Sequence, residues 1–172
     1  MKYDFYKKCY EKNAAFIESR PALKKVLPFF DKGLTAFFFA SYGALCLYAL
    51  IKNMSGVELM KIFFPPLLCL LVVTVLRITI DKPRPYTEEG AGITPIVKKK
   101  KSDNQSFPSR HIASAAVIAT TFLPLFPSIA IVLYFFALLL TYVRFSLGLH
   151  YISDLAVGGV IGVILGLVSN IL

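Results

Sequence analysis

Four arginines, two histidines and one carboxylate stand at the ends of apolar segments, where ionisable side chains are rare. They are Arg77, Arg84, Arg110, His111, Arg144, His150 and Asp154. A charged group at membrane depth is costly, so such residues are functional candidates. Arginine presents a planar fork of donors that matches phosphate oxygens. The cluster therefore favours phosphate chemistry over simple anchoring of the helix ends.

The spacing of these residues predicts roles in phosphoryl transfer. His150 and Asp154 are four residues apart and share one helix face, where the carboxylate would fix the tautomer of a nucleophilic imidazole. Ser109 follows a proline and predicts the N-cap of a helix, whose free amides attract an anion. His111 is placed to protonate the leaving oxygen. No carboxylate pair is available to hold a metal, so arginine takes the role of Mg²⁺ and no cofactor is expected.

The composition is that of a membrane protein. Hydrophobic residues make up 56% of the 172 residues, and 17% are charged, against about 25% in soluble proteins. The mean hydropathy is +0.66. The net charge of +9 would suit nucleic acid or anionic lipid, but the apolar runs favour lipid, so we expect no nucleic-acid partner. The three cysteines form no CxxC pair and are interpreted as packing thiols.

The apolar runs predict an all-α integral-membrane bundle of about five transmembrane helices. Residues 112–143 carry no charge. As one helix they would measure about 48 Å, beyond a hydrocarbon core of about 30 Å, so Pro124 and Pro127 divide them. The predicted spans are 34–51, 62–80, 112–125, 128–143 and 151–172.

Three glycines of the last span, Gly158, Gly162 and Gly166, stand four residues apart on one face. This spacing lets two helices approach closely. We favour packing within the bundle over dimerisation, and a homodimer stays open.

The first 32 residues are mixed in character and precede the bundle. Aromatic residues alternate with lysines, and without an uncharged core the segment is not a cleaved secretory signal. We interpret 1–32 as an amphipathic helix in the membrane interface, with a break at Pro21. The alternative is a solvated tail that folds back on the body. Residues 33–172 then form the bundle, with an active-site loop at 81–109.

Alternating spans bring the candidate residues to one face of the membrane. The segments that meet there are the end of the second span, the start of the third, the end of the fourth and the start of the fifth. They carry Arg77, Arg84, Ser109, Arg110, His111, Arg144, His150 and Asp154. These residues are far apart in sequence, but the topology predicts that they form one site.

Three motifs in these segments resemble the signatures of the phosphatidic acid phosphatase type 2 superfamily. Residues 77–85 resemble K-x6-R-P, residues 107–111 resemble P-S-G-H, and residues 143–154 resemble S-R-x5-H-x3-D. Three matches in this order are far more specific than any one of them. Arg77 stands where the family usually has Lys, Arg110 where it has Gly, and Val143 where it has Ser.

The resemblance implies a helical bundle and a phosphohistidine mechanism related to that of vanadium haloperoxidases. Carried over residue by residue, His150 is the nucleophile, Asp154 its partner and His111 the general acid. The phosphate would be held by the remaining motif residues, with Arg110 contributing its backbone amide; these are Arg77, Arg84, Ser109, Arg110 and Arg144.

Together these features predict an integral-membrane lipid phosphatase acting on a phosphate mono- or diphosphate ester. Phosphatidate, phosphatidylglycerol phosphate and undecaprenyl diphosphate are the candidate substrates. A lipid phosphotransferase and a non-catalytic lipid-binding membrane protein remain as alternatives, and the complete set of site residues argues against the second.

The charge distribution predicts the side of the membrane that the site faces. With five spans, 17 of the 19 Lys and Arg residues lie on the side of the site, and only Lys52 and Lys61 lie opposite. The positive-inside rule then favours a cytoplasmic active site in the cell membrane. The resemblance points the other way, because many bacterial relatives act on the outer face.

Overall fold

The computed structural model describes residues 3–87, 89–97 and 105–168. Within these ranges the chain forms six helices and no strand, which confirms the all-α class. The helices are α1 (Asp4–Glu18), α2 (Pro21–Ile51), α3 (Gly56–Ile80), α4 (Arg110–Phe122), α5 (Pro127–Ser146) and α6 (Ile152–Leu167).

The outer surface of the bundle is suited to lipid. Helices α2, α3 and α5 are long and apolar enough to cross a membrane, and α6 is a shorter apolar helix. Large apolar side chains point outward from the three long helices, among them Phe39 at 61%, Leu67 at 66% and Leu138 at 70% exposure. Soluble proteins rarely expose apolar surface on this scale. The predicted membrane helical bundle is confirmed.

Helix α4 lies at the centre of the bundle, against α2, α3, α5 and α6. Every residue from Ile112 to Phe122 except Ser114 is buried. Small residues allow this: a methyl group at Gly162 or Gly166 of α6 would collide with Ala113 or Thr120 of α4. The glycine face is thus used for packing within the bundle, as predicted.

The helix boundaries differ from the predicted spans where local capping decides them. Helix α3 begins at Gly56 instead of 62, because Ser55 and Glu58 form a reciprocal capping box. Pro124 lies between α4 and α5, and Pro127 opens α5, so the predicted division is confirmed. The end of the predicted last span, 169–172, lies outside the described residues.

The described part of the segment 1–32 contains two pieces of helix. Pro21 opens α2 at the position where proline is best tolerated, so residues 21–32 are the first turns of a long apolar helix. Helix α1 precedes them and buries Tyr6, Tyr10 and Ile17. It folds back on the bundle and packs against α2 and α5.

Candidate active site

Four segments of the chain meet at one end of the bundle, as the predicted topology requires. Arg77, near the end of α3, donates to the Pro108 carbonyl at 3.0 Å. The Ser109 amide donates to the Asp154 carbonyl at 2.9 Å. Arg84 donates to the Leu149 carbonyl at 3.2 Å. Backbone carbonyls beside Ser109 and His150 thus hold the two guanidinium groups in place.

His150 is held in a sharp turn between α5 and α6. The turn depends on Gly148, which has a φ of +73°. Residues with a Cβ atom rarely adopt this backbone conformation. The imidazole is buried, and its Nδ1 lies 2.9 Å from the backbone carbonyl oxygen of Ser106. A carbonyl only accepts, so Nδ1 carries the proton and the lone pair stands on Nε2.

The expected direct pair between His150 and Asp154 is wrong. The Asp154 carboxylate instead accepts from the Ser106 hydroxyl at 2.5 Å and lies 2.6 Å from the Lys82 ammonium. It also accepts from the Tyr151 amide at 3.2 Å. Asp154 therefore reaches the imidazole only through Ser106. The i, i+4 spacing places both residues on one helix face. It does not determine which group accepts the hydrogen bond from Nδ1.

The electrostatics keep His150 neutral. Burial lowers the pKa of its imidazole well below 6.5, and the positive charges of Arg84, Arg144 and Arg77 lower it further. A neutral imidazole with a free Nε2 is the form that attacks an electrophile.

Arg144 lies beside this histidine but is tied to a residue that the sequence analysis did not select. Its Nε is 2.9 Å from Asp31 Oδ1, and its second terminal nitrogen is 3.1 Å from Asp31 Oδ2. Asp31 lies on α2, and both side chains are largely buried. A lone carboxylate in an apolar helix was the signal that could have identified it.

The N-terminus of α4 completes the site. Ser109 is the N-cap, as predicted, but its side chain makes no capping bond. Its Oγ is buried and has no hydrogen-bond partner among the described residues. The first amides of α4 have no acceptor within the helix, so the hydroxyl and these amides form a cradle for an anion. Arg110 and His111 lie on the exposed rim.

Helix α1 covers the far side of the site. The Tyr6 ring packs 4.8 Å from that of Tyr151, and its hydroxyl lies 3.4 Å from the His150 carbonyl oxygen. Tyr10 donates to the Thr94 carbonyl at 2.9 Å, and burial raises the pKa of its phenol to about 12. The N-terminal segment thus screens His150 from water.

Within the described part of the chain, no three His, Cys, Asp or Glu side chains come together in a way that could hold a metal ion. The positive groups around His150 are guanidiniums and helix amides.

A profile of the PAP2 superfamily matches residues 58–172. The chain belongs to the PAP2 superfamily. The match contains all three motifs and helices α4 to α6. It leaves out α1 and α2, which carry Tyr6 and Asp31.

Two solved structures share the fold. The crystal structure of Aquifex aeolicus LpxE is 24% identical with a TM-score of 0.66, and the match covers 94% of each chain. That of the first transmembrane PAP2 type phosphatidylglycerolphosphate phosphatase from Bacillus subtilis is 21% identical with a TM-score of 0.71, covering 97% of this chain and 85% of that one. A search of curated protein sequences finds no significant match. Family and folds together support a membrane lipid phosphatase.

Three residues join this PAP2 site that the sequence analysis did not assign to it: Lys82, Ser106 and Asp31. Lys82 lies two residues before Arg84, so its spacing does not fit the lysine of the first motif. Ser106 contributes its backbone carbonyl to His150, and every residue type supplies that group. Only the folded chain could therefore identify its role.

Close packing at Gly158 should be needed for the PAP2 site. A methyl group there would lie 2.7 Å from the Ser109 carbonyl oxygen and 3.3 Å from its nitrogen. Both contacts are backbone atoms, so they cannot move without displacing the start of α4. Gly158→Ala should therefore lower the unfolding free energy by about 1–3 kcal/mol and strongly reduce phosphate release. Gly159→Ala is the matched control, since its nearest neighbour would be Ile112 Cγ2 at 3.7 Å. Equal melting and activity of the two variants in detergent would contradict this packing role.

Proposed function

We propose that this protein is an integral-membrane phosphatase that hydrolyses a lipid phosphate mono- or diphosphate ester through a phosphohistidine on His150. One observation carries the proposal: a buried neutral imidazole, held through Nδ1, stands among three guanidinium groups. The site therefore combines a nucleophile with the positive charges that bind a phosphate group.

The steps follow from this geometry. Nε2 of His150 attacks the terminal phosphorus, and the bond from this phosphorus to the bridging oxygen breaks. Protonated His111 donates its proton to that oxygen; the leaving group is the lipid alcohol for a monophosphate and the lipid monophosphate for a diphosphate. Neutral His111 then takes a proton from a water molecule, which attacks the phosphohistidine and releases inorganic phosphate. Ser109, the Arg110 amide and the guanidiniums hold the phosphate oxygens in both steps.

A cavity beside the site supports a lipid as the substrate. It has a volume of about 480 Å³ and lies between α2, α3 and α4. Its walls are mostly apolar, with Phe38, Tyr42 and Leu67 among the lining residues, and Arg110 and His111 also line it. An apolar chain in this cavity would bring its phosphate to the rim of the site.

The proposed substrates are phosphatidate, phosphatidylglycerol phosphate and undecaprenyl diphosphate. The similar Bacillus subtilis protein is described as a phosphatidylglycerolphosphate phosphatase, which supports the second of these. Arg110 lies exposed at the rim of the site, and a guanidinium is well suited to bind a second phosphate, which supports the third.

Phosphate release from this panel of lipids tests the proposal. We expect the purified protein to release phosphate in excess EDTA, because guanidiniums and helix amides supply the charge that a metal supplies elsewhere. Vanadate should inhibit, because it mimics pentacoordinate phosphorus. Loss of activity in EDTA that Mg²⁺ restores would contradict metal independence. Absence of release from every lipid would contradict the phosphatase itself.

We propose further that the active site faces the cytoplasm, as the positive-inside rule favours. A cytoplasmic site suits phosphatidate or phosphatidylglycerol phosphate, whereas an outward site suits undecaprenyl diphosphate. In a background lacking Cys9, Cys46 and Cys69, we introduce cysteine at exposed Glu89, near the site, or at exposed Lys52, at the opposite end. In intact cells an impermeant maleimide should label the second and spare the first. The reverse pattern would place the site outside.

A further inference from the structure

The Asp154 carboxylate is fully buried and surrounded by donors. Oδ1 lies 2.6 Å from the Lys82 ammonium and 3.2 Å from the Ser153 hydroxyl. Oδ2 accepts from the Ser106 hydroxyl at 2.5 Å and from the Tyr151 amide at 3.2 Å. A buried carboxylate is stable only when it is paired with a cation and hydrogen-bonded, and Lys82 is the cation that pairs with it here.

Lys82 is tied to the same loop a second time. Its backbone carbonyl accepts from the Ser106 amide at 2.8 Å. Lys82, Ser106 and Asp154 therefore form a closed ring of three contacts, and the Ser106 carbonyl points from this ring to Nδ1 of His150. The ammonium also lies 4.3 Å from the centre of the Tyr151 ring, which favours a cation.

We propose that Lys82 is a positioning residue for His150: its ammonium orients the Asp154 carboxylate, the carboxylate orients Ser106, and the Ser106 carbonyl holds the proton on Nδ1. The inference rests on the phosphatase function proposed above and names a residue at a variable position of the first motif. Lys82 contacts Asp154 and Ser106 and makes no contact with His150 itself. Its effect on catalysis is therefore indirect.

The charged and titratable groups around this relay come from five segments of the chain. Those facing His150 are Arg77 of α3, Arg84 of the following loop, Arg144 of α5 and the Tyr6 phenol of α1; Lys82 and Tyr151 face Asp154.

The tautomer of His150 gives a readout that does not depend on activity. The chain has two histidines, so ¹⁵N spectra of the imidazoles in detergent contain two sets of signals, which His111→Gln assigns. We expect His150 of the wild type to carry its proton on Nδ1, and Lys82→Met to populate the Nε2–H tautomer. Retention of a single Nδ1–H tautomer in Lys82→Met would overturn the proposal.

Kinetics with lipid phosphates supply the second readout. Lys82→Met should lower kcat about 10- to 100-fold, the ratio expected for a charge-assisted hydrogen bond. Lys82→Arg keeps the cation and should restore most of the lost kcat. Lys52→Met is the matched control, because it removes an exposed lysine at the opposite end of the bundle.

The outcomes separate the two proposals. Should Lys82→Met not fold, Ser106→Ala cuts the same relay while it keeps the ion pair, and an unchanged His150 tautomer and kcat in that variant would overturn the inference. Failure of the wild type to release phosphate from any lipid would contradict the proposed function instead, while the spectra still decide the role of Lys82.

Discussion

His150→Asn should abolish phosphate release, by a factor on the order of 10⁴–10⁶ as for other nucleophile deletions. The asparagine amide can still donate to the Ser106 carbonyl, so the local structure is kept, but it lacks the nucleophilic imidazole nitrogen that attacks phosphorus. The measurement is kcat/KM with a lipid phosphate, together with trapping of ³²P-labelled protein in an alkaline quench, where phosphohistidine survives. Wild-type protein should be labelled and the variant should not.

The pH dependence of the wild type checks the same assignment. Burial and the neighbouring guanidiniums hold the pKa of His150 well below 6.5. The folded protein therefore keeps this imidazole neutral as the pH falls through 6.5, and the acid limb of kcat/KM caused by it should lie below that value. Near-normal turnover by His150→Asn would refute the nucleophile assignment.

His111→Gln should instead slow formation of the phosphoprotein, most for lipids with poor leaving groups.

Substitution of either Arg144 or Asp31 should strongly lower both stability and activity. Both side chains are largely buried, and two nitrogens of the guanidinium lie 2.9 and 3.1 Å from the two carboxylate oxygens. Removal of one partner leaves a buried charge without compensation, which costs about 3–5 kcal/mol. Asp31→Leu and Arg144→Met should therefore each lower the melting temperature in detergent strongly and lose activity.

The double variant Asp31→Leu/Arg144→Met distinguishes stability from catalysis. Replacement of a whole buried ion pair by apolar residues is often neutral for stability, so the double variant should melt close to the wild type. It should nevertheless release little phosphate, because Arg144 is one of the guanidiniums beside His150. Recovery of activity together with stability would show that Arg144 serves only the fold.

The sequence by itself determined the fold class and the position of the three motifs at one end of the bundle. Apolar runs broken by prolines predicted the helices, and alternating spans predicted that Arg77, Ser109, His150 and Asp154 would lie at one end. The glycine face of α6 was also predicted to pack within the bundle. These features depend on hydrophobicity and helical periodicity, which are local properties of the chain.

The tertiary structure alone decided which partner each ionisable group has. Periodicity put His150 and Asp154 on one helix face, but Ser106, 44 residues away in the chain, supplies the acceptor for Nδ1. Arg144 pairs with Asp31 across 113 positions. A hydrogen bond depends on distances of a few tenths of an ångström between segments that are remote in sequence. Spacing along one helix carries no information about such distances, so the partners could be read only from the folded chain.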